Sequence, residues 1–268
     1  MTCSRAARMS PGRCRLVPNL VLTVLLIALV RTAWAEEPRI SMQFSGKAEG
    51  AVAALRSASQ GVVVLHAEVD PGSFVTLCVE DTASDRAADL LAMQIGAVAV
   101  RRLDGSIEVM RDPPVHVTSS GNAVPLSLLV TGIAQALGKT PAIAPGSDSV
   151  QVPFDEGMNK AGARSLLAET GRLTDLATYE SDSWVLVGPA EWIETFDLVR
   201  CWPLRHYCAS DDRDEVEAIR QILVIVARRR GMKAQGVEYL RPENTFRLLG
   251  RRSDVDALIA VLRSIDSP

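Results

Sequence analysis

Aromatic residues are scarce in this 268-residue chain, at 4%, so its cores must be built from Ala, Val, Leu and Ile. Histidine is scarcer still. His66, His116 and His206 are the only three, and they lie far apart. That leaves little for histidine-based catalysis, and they read as ordinary strand-end residues. No His-x-x-x-His, Cys-x-x-Cys or calcium-spaced acidic loop occurs, so no metal site is expected. No Gly-x-Ser-x-Gly elbow or phosphate loop occurs either. Gly138-Lys139-Thr140 lacks the preceding glycine of such a loop and reads as a helix end. An excess of positive charge is also missing. The formal net charge of −3 argues against nucleic acid as the main partner. Together these absences point to a noncatalytic protein with no cofactor and no small-molecule substrate.

At 47% hydrophobic and 23% charged, the chain can bury a core, which excludes wholesale disorder. Residues 1–19 carry Arg5, Arg8, Arg13 and Arg15 and no acid. An apolar run, Leu20–Val30, follows, broken only by Thr23, and ends in Ala33-Trp34-Ala35 before Glu36-Glu37. This is the pattern of a secretory signal peptide over 1–35, cleaved after Ala35. The run is too short for a spanning helix, which needs about 20 apolar residues. Cys14 precedes the run, so it is no lipid-attachment site. The leader holds five of the 29 basic residues and no acid; removing it leaves 24 basic against 32 acidic residues, a net of −8. The mature product reads as an acidic, exported periplasmic protein.

Cys78, Cys201 and Cys208 remain after cleavage, an odd number that allows at most one internal disulfide. Were the stretch between Cys201 and Cys208 one extended strand, its ends would lie roughly 23 Å apart, too far to bridge. The three are expected as buried thiols, with Cys78 packed on one face of an alternating strand.

Residues 40–110 read as strand, helix, strand, strand, helix and a closing strand pair. Glu49–Gln60 is helical and stops before Gly61. Asp70-Pro71-Gly72 is a turn in which Gly72 would take positive φ. Ser84 reads as an N-cap, Gly96 as the residue past the helix end, and Asp104-Gly105 as a hairpin. Residues 115–188 repeat the order. Val115-His116-Val117 opens, a helix from Pro125 stops at Gly138, and a second, capped by Asn159, stops at Gly171. The matches Gly61/Gly138, Leu90-Leu91/Leu166-Leu167 and Gly96/Gly171 keep an offset of 75–77 residues, which marks an internal duplication. Residues 198–266 read βαββα, with a long helix over Asp214–Arg230, a strand over Lys233–Tyr239 and a last helix capped by Ser253. The fold class is therefore α+β, in three small mixed modules: 36–112, 113–190 and 195–268.

These phrases resemble the periplasmic N-domains of bacterial secretins. The first repeat is similar to the secretin/TonB short N-terminal domain through Gly61-Val-Val-Val-Leu, Asp70-Pro71-Gly72, Val75-Thr-Leu and Ala87-Ala-Asp-Leu-Leu before Gly96. The second repeat resembles it more weakly. The third module resembles the KH-like secretin N-domain through Asn244-Thr-Phe-Arg-Leu-Leu-Gly and Ser253-Asp-Val-Asp-Ala-Leu-Ile. A secretin continues into a β-rich pore core, whereas these residues end at Pro268, so no channel role carries over. The resemblance implies docking of periplasmic or envelope proteins of a secretion or pilus machinery, or packing against copies of itself. A regulatory role like that of the N-terminal domain of TonB-dependent transducers, or binding of an envelope polymer, stays open.

Contact residues would then lie on outer faces. Trp192 falls in the linker Pro189–Thr195, and an exposed tryptophan there would be an anchor. Trp202 alternates with Cys201 and can face either side, while Trp184 reads as core. Arg228, Arg229 and Arg230 close the long helix, where cations suit the dipole, and could join Arg251 and Arg252 in a patch for an acidic partner. Asp211-Asp212 and Asp214-Glu215 suit the opposite end of that helix.

Overall fold

The computed structural model describes residues 38–59, 61–117, 122–154, 158, 161–208, 212–232 and 236–266. The leader over 1–35, Asn159, Asp211 and the start of the strand placed at Lys233 lie outside the described residues. The architecture is mixed α+β in several small sheets.

The first module runs β1 (Arg39–Lys47), α1 (Ala48–Ser59), β2 (Val63–Leu65), β3 (Phe74–Ala83), α2 (Ser84–Gln94), β4 (Val98–Arg101) and β5 (Ile107–Met110). β1 and β3 pair antiparallel, in a register that sets Phe44 opposite Leu77, with a bulge between Ile40 and Met42. β5 lies between β2, parallel to it, and β4, antiparallel. The second module runs β6 (Ala123–Pro125), α3 (Leu126–Ala136), β7 (Thr140–Ile143), β8 (Gln151–Pro153), α4 (Ala163–Thr174), β9 (Ala177–Glu180) and β10 (Trp184–Gly188). Its pairing copies the first: β6 with β8, and β10 between parallel β7 and antiparallel β9. The two segments thus share one strand-pairing order. After the short helix α5 (Ala190–Ile193), the third module runs β11 (Leu198–Pro203), α6 (Arg213–Arg229), β12 (Val237–Leu240), a 3-10 turn (Arg241–Glu243), β13 (Thr245–Gly250) and α7 (Arg252–Ile265). β13 lies between β11 and β12, both antiparallel to it.

Each module has its own apolar core. Leu55, Leu77, Leu90 and Leu91 fill the first, Leu126, Leu129, Ile133 and Leu166 the second, and Leu223, Phe246, Leu248 and Leu258 the third. From Pro38 onward the chain forms one compact unit. The segment read as a linker supplies part of the join. Ile193 is buried with Leu186 and Leu198, and Trp184, Trp192 and Phe196 pack around them.

Several local expectations change. The second module opens with Ala123–Pro125, not with Val115–Val117. Val115 and Val117 are buried beside it, and Pro114 forms a single bridge to Gly162. Gly171 does not end α4, which continues to Thr174. Asp175 takes the left-handed turn instead, at φ 54°. Gly171 is there for proximity, since a Cβ would sit 3.1 Å from the Thr178 methyl. Gly72 does not take positive φ; the Asp70 carboxylate makes the turn by accepting the Gly72 N–H at 2.9 Å.

The serine caps also differ, and carboxylates from outside the module reach the starts of α4 and α7. Ala83, not Ser84, is the cap of α2, and it makes no side-chain cap bond. Ser253 lies inside α7, where its N–H and hydroxyl both donate to Glu194 at the end of α5. At the start of α4, Arg164 N–H, Ser165 N–H and the Ser165 hydroxyl donate to Asp112, which ends the first module. Anions at these positions satisfy free N–H groups and suit the helix dipole.

Gly188 lets β10 meet α5. A Cβ there would lie 2.6 Å from Ala144 and 2.7 Å from the Trp192 ring. Gly188→Ala is expected to lower stability by about 1–3 kcal/mol through overpacking, read as a shift of the denaturant midpoint. An unchanged midpoint would mean that this contact relaxes freely.

Candidate functional site: the junction of three modules

The first and third modules meet directly, although the second separates them in sequence. Cys78 on β3 is disulfide-bonded to Cys208, which follows β11, with Cα atoms 6.1 Å apart. The expectation of three buried thiols is thus corrected. Pairing required β3 and the β11–α6 connection to be brought together by the fold. Arg86 on α2 donates to Glu243 Oε2 through Nε at 2.9 Å and Nη2 at 2.7 Å. The Gln94 amide is buried, clasps the Thr76 backbone and reaches Leu204 O at 3.5 Å. Phe74 stacks on His206 with ring centres 5.8 Å apart.

The second module enters this junction through its β9–β10 hairpin. Glu180, at the end of β9, accepts from Lys139 Nζ at 2.6 Å and from Arg164 Nε and Nη2 at 2.9 and 3.0 Å. Arg164 also donates to Gly96 O and Arg111 O of the first module. Arg200 on β11 donates to the backbone oxygen of Glu180. Asp182, in the hairpin turn, donates its N–H to Val199 O and accepts the N–H of Cys201. The outer edge of β11 is therefore occupied by a turn of the same molecule, and Pro203, with no N–H, ends the strand.

Burial disfavours the charged form of Glu180, but the Arg164 hydrogen bonds and the Lys139 charge outweigh it and bring its pKa down to about 2. Burial pushes the Lys139 ammonium down despite that partner. Cys201 is the free thiol among the described cysteines. Burial, and then the nearby Asp182 charge, push it up to about 11, so it stays protonated and is a poor nucleophile at neutral pH.

The residues singled out from the sequence lie in different surroundings. Trp192 is half-buried, edge-on to Phe196 at 4.7 Å. Trp202 is half-buried at the junction, where its indole N–H donates to Asp266 at 3.0 Å and Arg205 lies 5.8 Å over its ring. Arg228 and Arg229 are exposed at the end of α6, as is Arg251 before α7. Arg230 is paired with Asp254 at 2.9 Å. Arg252 lies 5.0 Å over Tyr179 of the second module and 3.7 Å from Asp256, so it joins two modules. The histidines are not brought together. His66 lies 3.7 Å from Glu68, His116 is exposed before β6, and His206 stacks on Phe74. Among the described residues no cluster of potential metal ligands occurs, and no helix is long and apolar enough to cross a membrane.

The junction residues Arg86, Lys139, Arg164, Glu180, Asp182, Arg200 and Arg205 carried no distinctive sequence signal beyond the place of Lys139 after the helix-ending Gly138. No family model and no curated protein matches the chain. Among solved structures it is similar to a chain of the Klebsiella pneumoniae type II secretion system outer membrane complex, described as PulD, PulS and the PulC HR domain. The identity is 12% and the TM-score 0.23, over 86% of this chain and 39% of that one. This chain thus spans well under two thirds of its neighbour's length, and a likeness at that score carries no structural argument.

Proposed function

We propose that the protein is a noncatalytic docking module that works in the periplasm within an envelope secretion or assembly system, in the manner of secretin N-domains. One observation carries this reading. β1 is nine residues long and, among the described strands, pairs with β3 in a sheet of two that an added strand would extend. Arg39, Ser41, Gln43, Ser45 and Lys47 are exposed along it, and Met42 and Phe44 pack inward. The register of an added strand would follow from this alternation. The Cys78–Cys208 bond suits an oxidising compartment.

A photo-crosslinking residue at Ser45 or Lys47, in cells exporting the protein, tests this reading. The expected product is an adduct with another envelope protein or a second copy, with the same probe at Glu217 on α6 leaving the chain alone. Only uncrosslinked chain at both β1 positions would overturn it.

A further inference from the structure

A cleft of about 580 Å³ opens where the three modules meet. α2 and β4 form one wall, Leu137–Lys139 with Glu180–Ser183 a second, and β11 with Arg205 the third. Its size lies in the range of ligand-binding clefts, roughly 300–1,000 Å³. Six of its lining residues are cationic and three are acidic, in a chain whose net charge is negative.

Four of the six cations hydrogen-bond to the protein's own carboxylates, Arg86 to Glu243, Arg101 to Asp85, and Lys139 and Arg164 to Glu180, and Arg200 forms a longer ion pair with Asp182. Arg200 and Arg205 keep donors in reserve. Arg200 Nε is buried without a hydrogen-bond partner, and Asp182 Oδ1 lies 3.8 Å away, beyond bonding distance. The half-buried guanidinium of Arg205 makes no hydrogen bond with any described acceptor and lies over Trp202. Asp266, on the same side, is taken up by the Trp202 indole and by the backbone N–H groups of Arg205 and His206. Partly desolvated guanidinium donors without acceptors are costly, and an incoming carboxylate satisfies them with charge-assisted bonds.

The molecule already contains a version of the fit. Asp182 arrives on a hairpin turn and sets its carboxylate against the Cys201 N–H, beside Arg200. We propose that the cleft receives an acidic segment of a partner protein, seating a side-chain carboxylate against Arg205, with Arg200 adding positive charge beside it. This rests on the docking reading and names the chemistry of the partner.

The test is fluorescence anisotropy with a labelled hexaglutamate peptide on the full exported chain. A hexaglutamine peptide, inorganic phosphate, Arg205→Gln and Arg220→Gln on the exposed face of α6 serve as comparators. Hexaglutamate should bind, weaken as salt rises, and lose at least about tenfold in affinity with Arg205→Gln. Arg220→Gln should leave binding unchanged. Should Arg205→Gln fail to fold, a spin-labelled hexaglutamate on the unsubstituted chain should broaden the backbone amide signals of Met93 and Arg205 and spare that of Ile222. Equal binding of hexaglutamine, binding of phosphate without hexaglutamate, an unaffected Arg205→Gln, or no broadening at Met93 and Arg205 would each overturn the proposal. Crosslinks at β1 that persist after such a failure would leave the docking reading standing. Loss of those crosslinks with peptide binding intact would remove the docking reading alone.

Discussion

Replacing Cys78 and Cys208 with alanine is expected to lower the unfolding free energy by about 5 kcal/mol, the largest single effect in this molecule. The bond closes a loop across a sequence separation of 130. In the chain-entropy account, a loop of that length restricts the unfolded chain by about 5 kcal/mol at 25 °C. The native state loses a second contribution in the same change, because the bond holds β3 of the first module against the connection that follows β11. Urea unfolding of the double variant, beside the oxidised parent, measures the sum. A difference below about 1 kcal/mol would show that the first and third modules hold together without the bond. Cys201→Ala is the matched control: its thiol forms no disulfide and accepts only a long hydrogen bond from Arg86, and its removal should change stability far less.

Neutralising Glu180 is expected to cost about 3–5 kcal/mol, because it leaves two largely buried cations without their carboxylate. The Glu180 and Lys139 side chains are only 18% and 12% exposed, so solvent screens the pair weakly. Acid should reproduce the effect in the parent protein. Folded Glu180 titrates at about 2, below its ordinary 4.5. Its contribution is therefore complete above about pH 4.5 and is lost as the pH falls toward 2. A depression of that size is worth about 3 kcal/mol. Denaturant midpoints between pH 6 and 2.5 for the parent and Glu180→Gln give the comparison. The parent should lose stability more steeply below pH 4.5, and the two curves should converge as Glu180 takes up its proton. Parallel curves would mean that Glu180 carries no special charge stabilisation.

The order of elements was legible because it is written in short-range patterns. Apolar spacing placed α1, α3 and the βαββα third module to within a few residues, and the left-handed glycines Gly96 and Gly138 fell where helices stop. The shared strand order of the first two modules has its counterpart in the same short-range patterns, although Gly171, one of the repeated marks, does not end a helix. What escaped was long-range. Asp112 serves a helix start 52 residues further on, Glu194 one 59 residues further on, and Cys78 a partner 130 residues away. These pairings depend on how the third module folds back onto the first, and no local period records that. Gly171 shows the limit at a single residue. Its identity matched a helix stop, but the need it meets is a close approach by Thr178. The junction escaped for the same reason: its cations come from α2, β4, α4, β11 and the segments after α3 and β11, and each looks like an ordinary surface cation in its own segment.

The covalent link between β3 and the segment after β11 also sets how the molecule would carry mechanical load. A pull on the two ends of the chain would pass from one to the other through the sulfur atoms, leaving the whole second repeat slack inside the closed loop. That repeat could then yield or reseat without lengthening the molecule, a useful property for a part strung between two anchored bodies.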